Sequence, residues 1–257
     1  MTPDEIIWLH SIDGSNATRF AMTEINHGTD TLQIIEKLRR QCSAAQARSA
    51  LDLATGRQVA SVKFSDAKRL FCDREAAEQS SHELVARHTA RRFAGMDSVD
   101  DLGCGMGGDL LALALETKAR AIDRDPARIA MARANVELRD LNHQVTFSVN
   151  DIEAHVSHND EAAAWFDPSR RNTSGRRFDP EQWTPSLSVA IDLARRYGGA
   201  GIKLAPGIDR DHLPEESELE FVSLSGRLVA AVLWIGRLAV SPRQATIIRN
   251  DGHKAIL

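Results

Sequence analysis

The chain is poor in several residue types, and each shortage argues against a class of protein. Among its 257 residues are three cysteines, one tyrosine and six lysines, and aromatic residues make up only 5%. Cys42, Cys72 and Cys104 are odd in number and far apart, with no C-x-x-C pair and no Cys/His cluster at zinc spacing. A disulfide framework or a structural metal is therefore not expected. No apolar run approaches the roughly 20 residues that cross a bilayer, and the N-terminus, MTPDEIIWLH, carries acids where a secretory signal carries positive charge. No membrane partner is expected, and the location expected is cytoplasmic. Overall basicity is lacking too: with a net charge of -4, any polyanion must be held by a local patch. Internal repeats and low-complexity tracts are absent.

What remains is a globular composition, 42% hydrophobic and 26% charged. Its basic residues are mostly arginine, whose planar fork suits phosphates and stacked bases. The first third reads as helical. TDTLQIIEKLRRQ places Leu32, Ile34, Ile35 and Leu38 on one face, with Thr29, Asp30 or Thr31 as cap. SAAQARSALDLATG continues with Ala47, Ala50, Leu51 and Ala54, and Gly56 is the expected stop. One further helix is expected from about Arg74 through Phe93. From Ser98 short β-compatible segments alternate with helical ones: SVDD, ARAID, QVTFSVN, AAAWF and AGIKLAP as strands, with GDLLALALE, PARIAMARANVELRDL and LSVAIDLARRY as helices between them. ELEFVSLSG and RLVAAVLWIG read as paired strands turning at Ser225-Gly226, and QATIIRN as a possible extra strand. This alternation predicts an α/β fold with a mostly parallel sheet ending in an antiparallel pair.

The first strand runs into DDLGCGMGGD, which fits two templates. Gly103, Gly105 and Gly108 match G-x-G-x-x-G, whereas Gly103, Gly105 and Gly107 match G-x-G-x-G. Both let the backbone turn after a strand and approach a ligand closely. Charge separates them. Asp100, Asp101 and Asp109 bracket the loop and would repel a pyrophosphate, but they suit a ligand carrying an ammonium and a sulfonium. Asp123, with Arg124 beside it, ends the next strand 22 residues after Asp101, where a carboxylate accepts ribose hydroxyls. Asp151 closes the third strand and can accept an adenine amino group, with Ile152 for the ring face. The competing account makes Asp101, Asp109 and Asp125 helix caps or loop clasps.

With these motifs in place, the sequence resembles the class I S-adenosylmethionine-dependent methyltransferases over about residues 75–249. DLGCGMGGD is similar to their first motif, AIDRDPARIAMARAN to their second and Asn150-Asp151 to their third. FCDREAAEQSSHELVARHTARRF, FDPSRR and KLAPGI resemble the bacterial and archaeal methyltransferases that carry a THUMP-like domain and, more distantly, trimethylguanosine synthase. The resemblance implies a Rossmann-like seven-stranded sheet in residues 75–257, mostly parallel with an antiparallel last strand, preceded by a helical N-terminal domain in residues 1–74. It implies that Asp101, Gly103, Gly105 and Gly107 line the methionine and ribose side of the cofactor, that Asp123 takes the ribose and Asp151 the adenine, and that Phe71 and Gln79 cover it. A complete THUMP-like domain is not expected within the residues that follow the last strand here.

FDPSRRNTSGRR, residues 166–177, begins at the fourth strand end, where the resemblance puts the methyl-accepting group. Asp167 and the Pro168 carbonyl can accept the N–H bonds of an exocyclic amine and aim its lone pair, and Pro168 stiffens the loop. The family's aromatic is absent, since Ser169 and Arg170 follow the proline. Arg170 and Arg171 can bind phosphates or stack on a base in its place, while Arg176 and Arg177, after Thr173-Ser174-Gly175, read rather as solvated charge. Lys203 and Pro206, at the next strand end, either close the pocket or bury a lysine stem. The leading expectation is a methyltransferase acting on RNA at a base nitrogen, with S-adenosylmethionine as cofactor. The alternatives are a small-molecule acceptor, a cofactor-binding module without transfer, and lastly a dinucleotide oxidoreductase.

Overall fold

The structure is a computed structural model that describes residues 1–154, 159–172, 175–176 and 179–257. Four helices open the chain: α1 (Pro3–His10), α2 (Ile12–Asn26), α3 (Thr31–Leu38) and α4 (Ala44–Ala60). Each starts on a side-chain cap (Thr2, Ser11, Asp30 and Ser43), and Thr2 and Ser43 form full capping boxes with Glu5 and Gln46. Helix α4 does not stop at Gly56 but runs four residues further. That glycine is there for close packing, because a Cβ would lie 2.2 Å from the carbonyl oxygen of Cys72. The single helix expected over residues 74–93 is also corrected. It is α5 (Arg74–Gln79) and α6 (Glu83–Ala90), parted at Ser80–His82, where His82 caps the second.

Nine strands then form one sheet, and two form a small hairpin. The strands are β1 (Ser98–Leu102), β2 (Lys118–Asp123), β3 (Val145–Val149), β4 (Asn159–Phe166), β5 (Arg171–Asn172), β6 (Gly175–Arg176), β7 (Tyr197–Leu204), β8 (Glu218–Leu224), β9 (Arg227–Gly236), β10 (Arg243–Ile248) and β11 (Lys254–Ile256). The helices among them are α7 (Leu110–Glu116), α8 (Pro126–Glu137) and α9 (Leu187–Ala194). The large sheet has the order β11-β10-β8-β9-β7-β4-β1-β2-β3. β1, β2, β3, β4 and β7 are parallel, and β9 runs antiparallel to both β7 and β8. The expected count of seven is therefore short by two. β10 pairs in parallel on the outer edge of β8, and β11 folds back along β10, which satisfies backbone groups that an uncovered edge would expose.

β1 pairs with both β2 and β4, so the chain winds to one side through β2 and β3 and to the other through β4 and β7. Ligand crevices form at the strand ends of such a switch point. One face of the sheet lies under the N-terminal helices together with α7 and α8, and this apolar cluster runs without interruption from Ile6 to Leu238. Residues on both sides of the division expected at 74 and 75 contribute to this cluster. The opposite face packs on α9 and Trp183.

Candidate active site

β1 delivers the glycine loop to the switch point. Gly103, Gly105 and Gly107 all have positive φ (90°, 55° and 87°), whereas Gly108 does not. The backbone therefore matches the G-x-G-x-G template. The loop is tied to β2: the amides of Gly103 and Cys104 donate to the Ile122 carbonyl, and the Gly105 amide donates to Asp123 Oδ2 at 3.0 Å. Asp123 Oδ1 accepts from the Asp125 amide, and Asp125 caps α8 through the Ala127 amide. Capping thus accounts for Asp125. It does not account for Asp109, which precedes α7 but makes no side-chain cap bond.

These elements border a cleft of about 560 Å³, well within the range of small-molecule sites. Asp101, Gly103, Gly105, Asp123, Arg124, Asp151, Ile152, Gln79, Asp167, Pro168, Ser169 and Arg170 all line it. Sequence positions up to 91 residues apart are brought together here. Among the described residues, nine carboxylates and three arginines line the cleft, and none of the lining residues is aromatic. Gly107 is buried behind the loop against Ala132. Arg171 lies on β5, and Arg177 falls outside the described residues.

Two expectations are corrected. Phe71 is not at the cleft: its ring stacks on His10 with centroids 4.0 Å apart, and Asn135 of α8 holds its backbone amide and carbonyl. The segment before the Asp73 cap is pulled into the core between α4 and α8, so its aromatic serves packing. Asp100, which brackets the loop in sequence, points to the sheet's other face, as alternation along a strand requires. There it accepts from Arg120 and from the Tyr197 hydroxyl.

The buried floor of the cleft is acidic. Asp101 is 2% exposed and, among the described residues, its Oδ2 has no hydrogen-bond partner. Burial, and then Asp109, Asp167 and Asp123, push its carboxyl well above the usual range, against a smaller pull from Lys203. Asp109 is raised in the same way by burial and Asp167, although Lys203 and a 2.9 Å bond from Ser81 Oγ oppose the shift. Lys203 sits at the end of β7, its Nζ donating to Asp167 Oδ2 at 2.6 Å and to Ser81 Oγ at 2.8 Å. Burial would discharge this ammonium, but Asp167 and Asp109 together hold it above its ordinary value. Neither Lys203 nor Pro206 is among the residues lining the cleft; the Lys203 head group meets it through Asp167, which does line it.

Sequence reasoning missed Ser81, because the break between α5 and α6 was read as helix; the Ser-Ser-His-Glu run carries the helix-start chemistry that marks it. It also missed Thr184 and Pro185, which line the far wall across a cis peptide. Backbone bonds between Ser169 and Thr184 (2.9 and 3.0 Å) pin the loop after Asp167 to that wall. Among the described residues no group of three or more His, Cys, Asp or Glu side chains can hold a metal ion, and no helix is long and apolar enough to cross a membrane.

Comparison with known proteins supports the same region. The model of the family described as RNA cap guanine-N2 methyltransferase matches residues 96–168, from just before β1 through the Asp167-Pro168 pair. Two curated relatives from Mycobacterium tuberculosis strains, each described as an uncharacterised S-adenosylmethionine-dependent methyltransferase, are 38% identical over 187 residues, 70% of this chain and 50% of theirs. The chain spans about half the length of those relatives. A crystal structure of a protein from Porphyromonas gingivalis, provisionally named a methyltransferase, aligns over 94% of this chain and 64% of its own with a TM-score of 0.66 and 19% identity. The chain carries an α/β Rossmann-like domain of the class I S-adenosylmethionine-dependent methyltransferase type.

Proposed function

We propose that this protein transfers a methyl group from S-adenosylmethionine to RNA at a base nitrogen. The observation that carries the proposal is the meeting, in one cleft, of the G-x-G-x-G loop, three acids at successive strand ends and the Asp167-Pro168 pair. The residues present fit the cofactor, for the unpartnered Oδ2 of Asp101 and the excess of carboxylates suit a cation with N–H donors. When bound, the cofactor supplies a sulfonium-activated methyl group. Asp123 keeps lone pairs for ribose hydroxyls beyond its two backbone donors, while Asp151 and Ile152 serve the adenine edge and face, and Gln79 and Arg124 border the opening. Asp167 and the Pro168 carbonyl accept the N–H bonds of the acceptor, aim its lone pair and exclude water around it. With no aromatic among the described lining residues, Arg170, beside the Asp167-Pro168 pair, can stack on a base or take a phosphate, and Ser169 offers a hydroxyl next to it. The match to an RNA cap guanine-N2 methyltransferase family model supports the RNA class.

One observation favours a second reading: nine acids at the cleft would repel an RNA backbone brought close, so a small, uncharged or cationic acceptor is the alternative. The test is incubation with methyl-labelled S-adenosylmethionine and total RNA, followed by mass spectrometry of the nucleosides. Label in a base-methylated nucleoside, reduced about 100-fold or more by Asp167→Ala with cofactor affinity by calorimetry nearly unchanged, supports the proposal. Label only in small metabolites moves it to the second reading, and absence of cofactor binding removes both.

A further inference from the structure

The buried lysine at the end of β7 is more than a counterion. Lys203 is only 8% exposed, and an apolar residue would fill such a place at lower cost, because paired buried charges seldom stabilise more than good packing. Its ammonium instead has two of its three protons assigned, one to Asp167 Oδ2 and one to Ser81 Oγ. Ser81 Oγ in turn donates a hydrogen bond to Asp109 Oδ2. The chain Asp167–Lys203–Ser81–Asp109 therefore ties together the ends of β4 and β7, the break between α5 and α6, and the start of α7. A carboxylate that turns freely offers either oxygen in any direction. One clamped through Oδ2 has its plane fixed, and among the described residues Oδ1 of Asp167 accepts no hydrogen bond.

We propose that Lys203 is the positioning residue of this site, clamping Asp167 by one oxygen so that the other is presented to the acceptor N–H, with Ser81 and Asp109 holding the lysine in turn. The inference rests on the function proposed above and names the device that orients its acceptor group. The charged groups around Lys203 are consistent with this task. Asp167, Asp109 and Asp101 surround it, Arg170 repels it from the loop side, and the acids win. The clamp is therefore a charged one near neutral pH.

The test combines kinetics and spectroscopy on the whole chain. With methyl-labelled S-adenosylmethionine and total RNA, Lys203→Met should lower the single-turnover rate about 100-fold while the calorimetric Kd of the cofactor changes less than about threefold. Lys203→Arg should restore part of the rate, and Ser81→Ala should fall between. In an Asp167→Asn background Lys203→Met should cost little more, since both act through one contact. An unchanged rate, additive effects of the two substitutions, or parallel loss of melting temperature, cofactor binding and rate would overturn the proposal. In ¹⁵N-labelled protein the Lys203 ammonium, identified by its loss in Lys203→Met, should be visible near neutral pH and should move in both Asp167→Asn and Ser81→Ala. If wild-type protein labels no RNA, the acceptor class fails alone. The ammonium signal then decides the clamp: an absent or unmoved signal overturns it.

Discussion

Two clusters of buried and half-buried acids sit in this molecule, and their partners differ. At the β8 edge every carboxylate oxygen is matched. Glu218 takes both guanidinium nitrogens of Arg92 (2.7 and 3.1 Å) and the amides of Val240 and Ser241. Glu220 takes His88, Thr246, Gln244 and the indole N–H of Trp234. In the cleft, Asp101, Asp109 and Asp167 lie around Lys203, and among the described residues Asp101 keeps an oxygen with no partner. Burying a charge without partners costs several kcal/mol, so the cleft holds strain that a cationic ligand would relieve and the edge does not. The difference shows how a structural charge network is told from a binding one: by which acceptors are left over.

Removing a partner from the edge should break that comparison most visibly. Glu218→Ala leaves the partly buried Arg92 without its main carboxylate, and it should cost about 3 kcal/mol in urea unfolding, while the folded protein keeps its affinity for S-adenosylmethionine. Loss of affinity at full stability would mean that the edge belongs to the site. In the cleft the opposite trade is expected. Asp101→Asn removes the uncompensated charge, so it should raise stability by about 1 kcal/mol and weaken cofactor binding roughly tenfold or more, read by melting temperature and calorimetry on the same samples. A variant less stable than wild type would contradict the idea of stored strain.

The smallest and most diagnostic contrast is in pH. Burial pushes Glu220 upward, but bonds from His88, Thr246 and Trp234 outweigh it and hold the carboxyl at about 2. Its contribution is thus present above the ordinary value of 4.5 and lost as pH falls toward 2, on the order of 3 kcal/mol. Asp101 has the reverse sign. Its raised carboxyl favours the fold most below its ordinary value of 3.8, and that stability is lost as pH rises through the folded value. Unfolding free energies measured across pH should therefore lose their acid limb in Glu220→Gln and flatten on the neutral side in Asp101→Asn. Matching profiles for the two variants would erase the distinction between the clusters.

Much of this was legible in order along the chain. The strand–loop–helix alternation, the G-x-G-x-G spacing and the acids at Asp101, Asp123 and Asp151 could be read because each is a local pattern: a turn that needs positive φ, a strand end, a cap. The helix break at Ser80–His82, the core placement of Phe71 and the outward turn of Asp100 were not. A helix period continues through a short break, a ring before a cap can pack on either side, and strand phase is settled only when neighbouring strands fix which face is which. The partner of Lys203 was hidden for a similar reason, since Ser81 lies 122 residues away.

By itself the sequence determined the α/β winding and the glycine loop with its strand-end acids, because short-range sterics and hydrophobic period specify these within a few residues. The tertiary structure alone decided which acids are satisfied. Asp100 and Asp101 are neighbours of the same chemistry, yet one is paired and the other is left facing a cleft. The free energy of a buried charge depends on donors that arrive from β2, β7 and the α5–α6 break, and those are supplied only when the sheet closes on its helices.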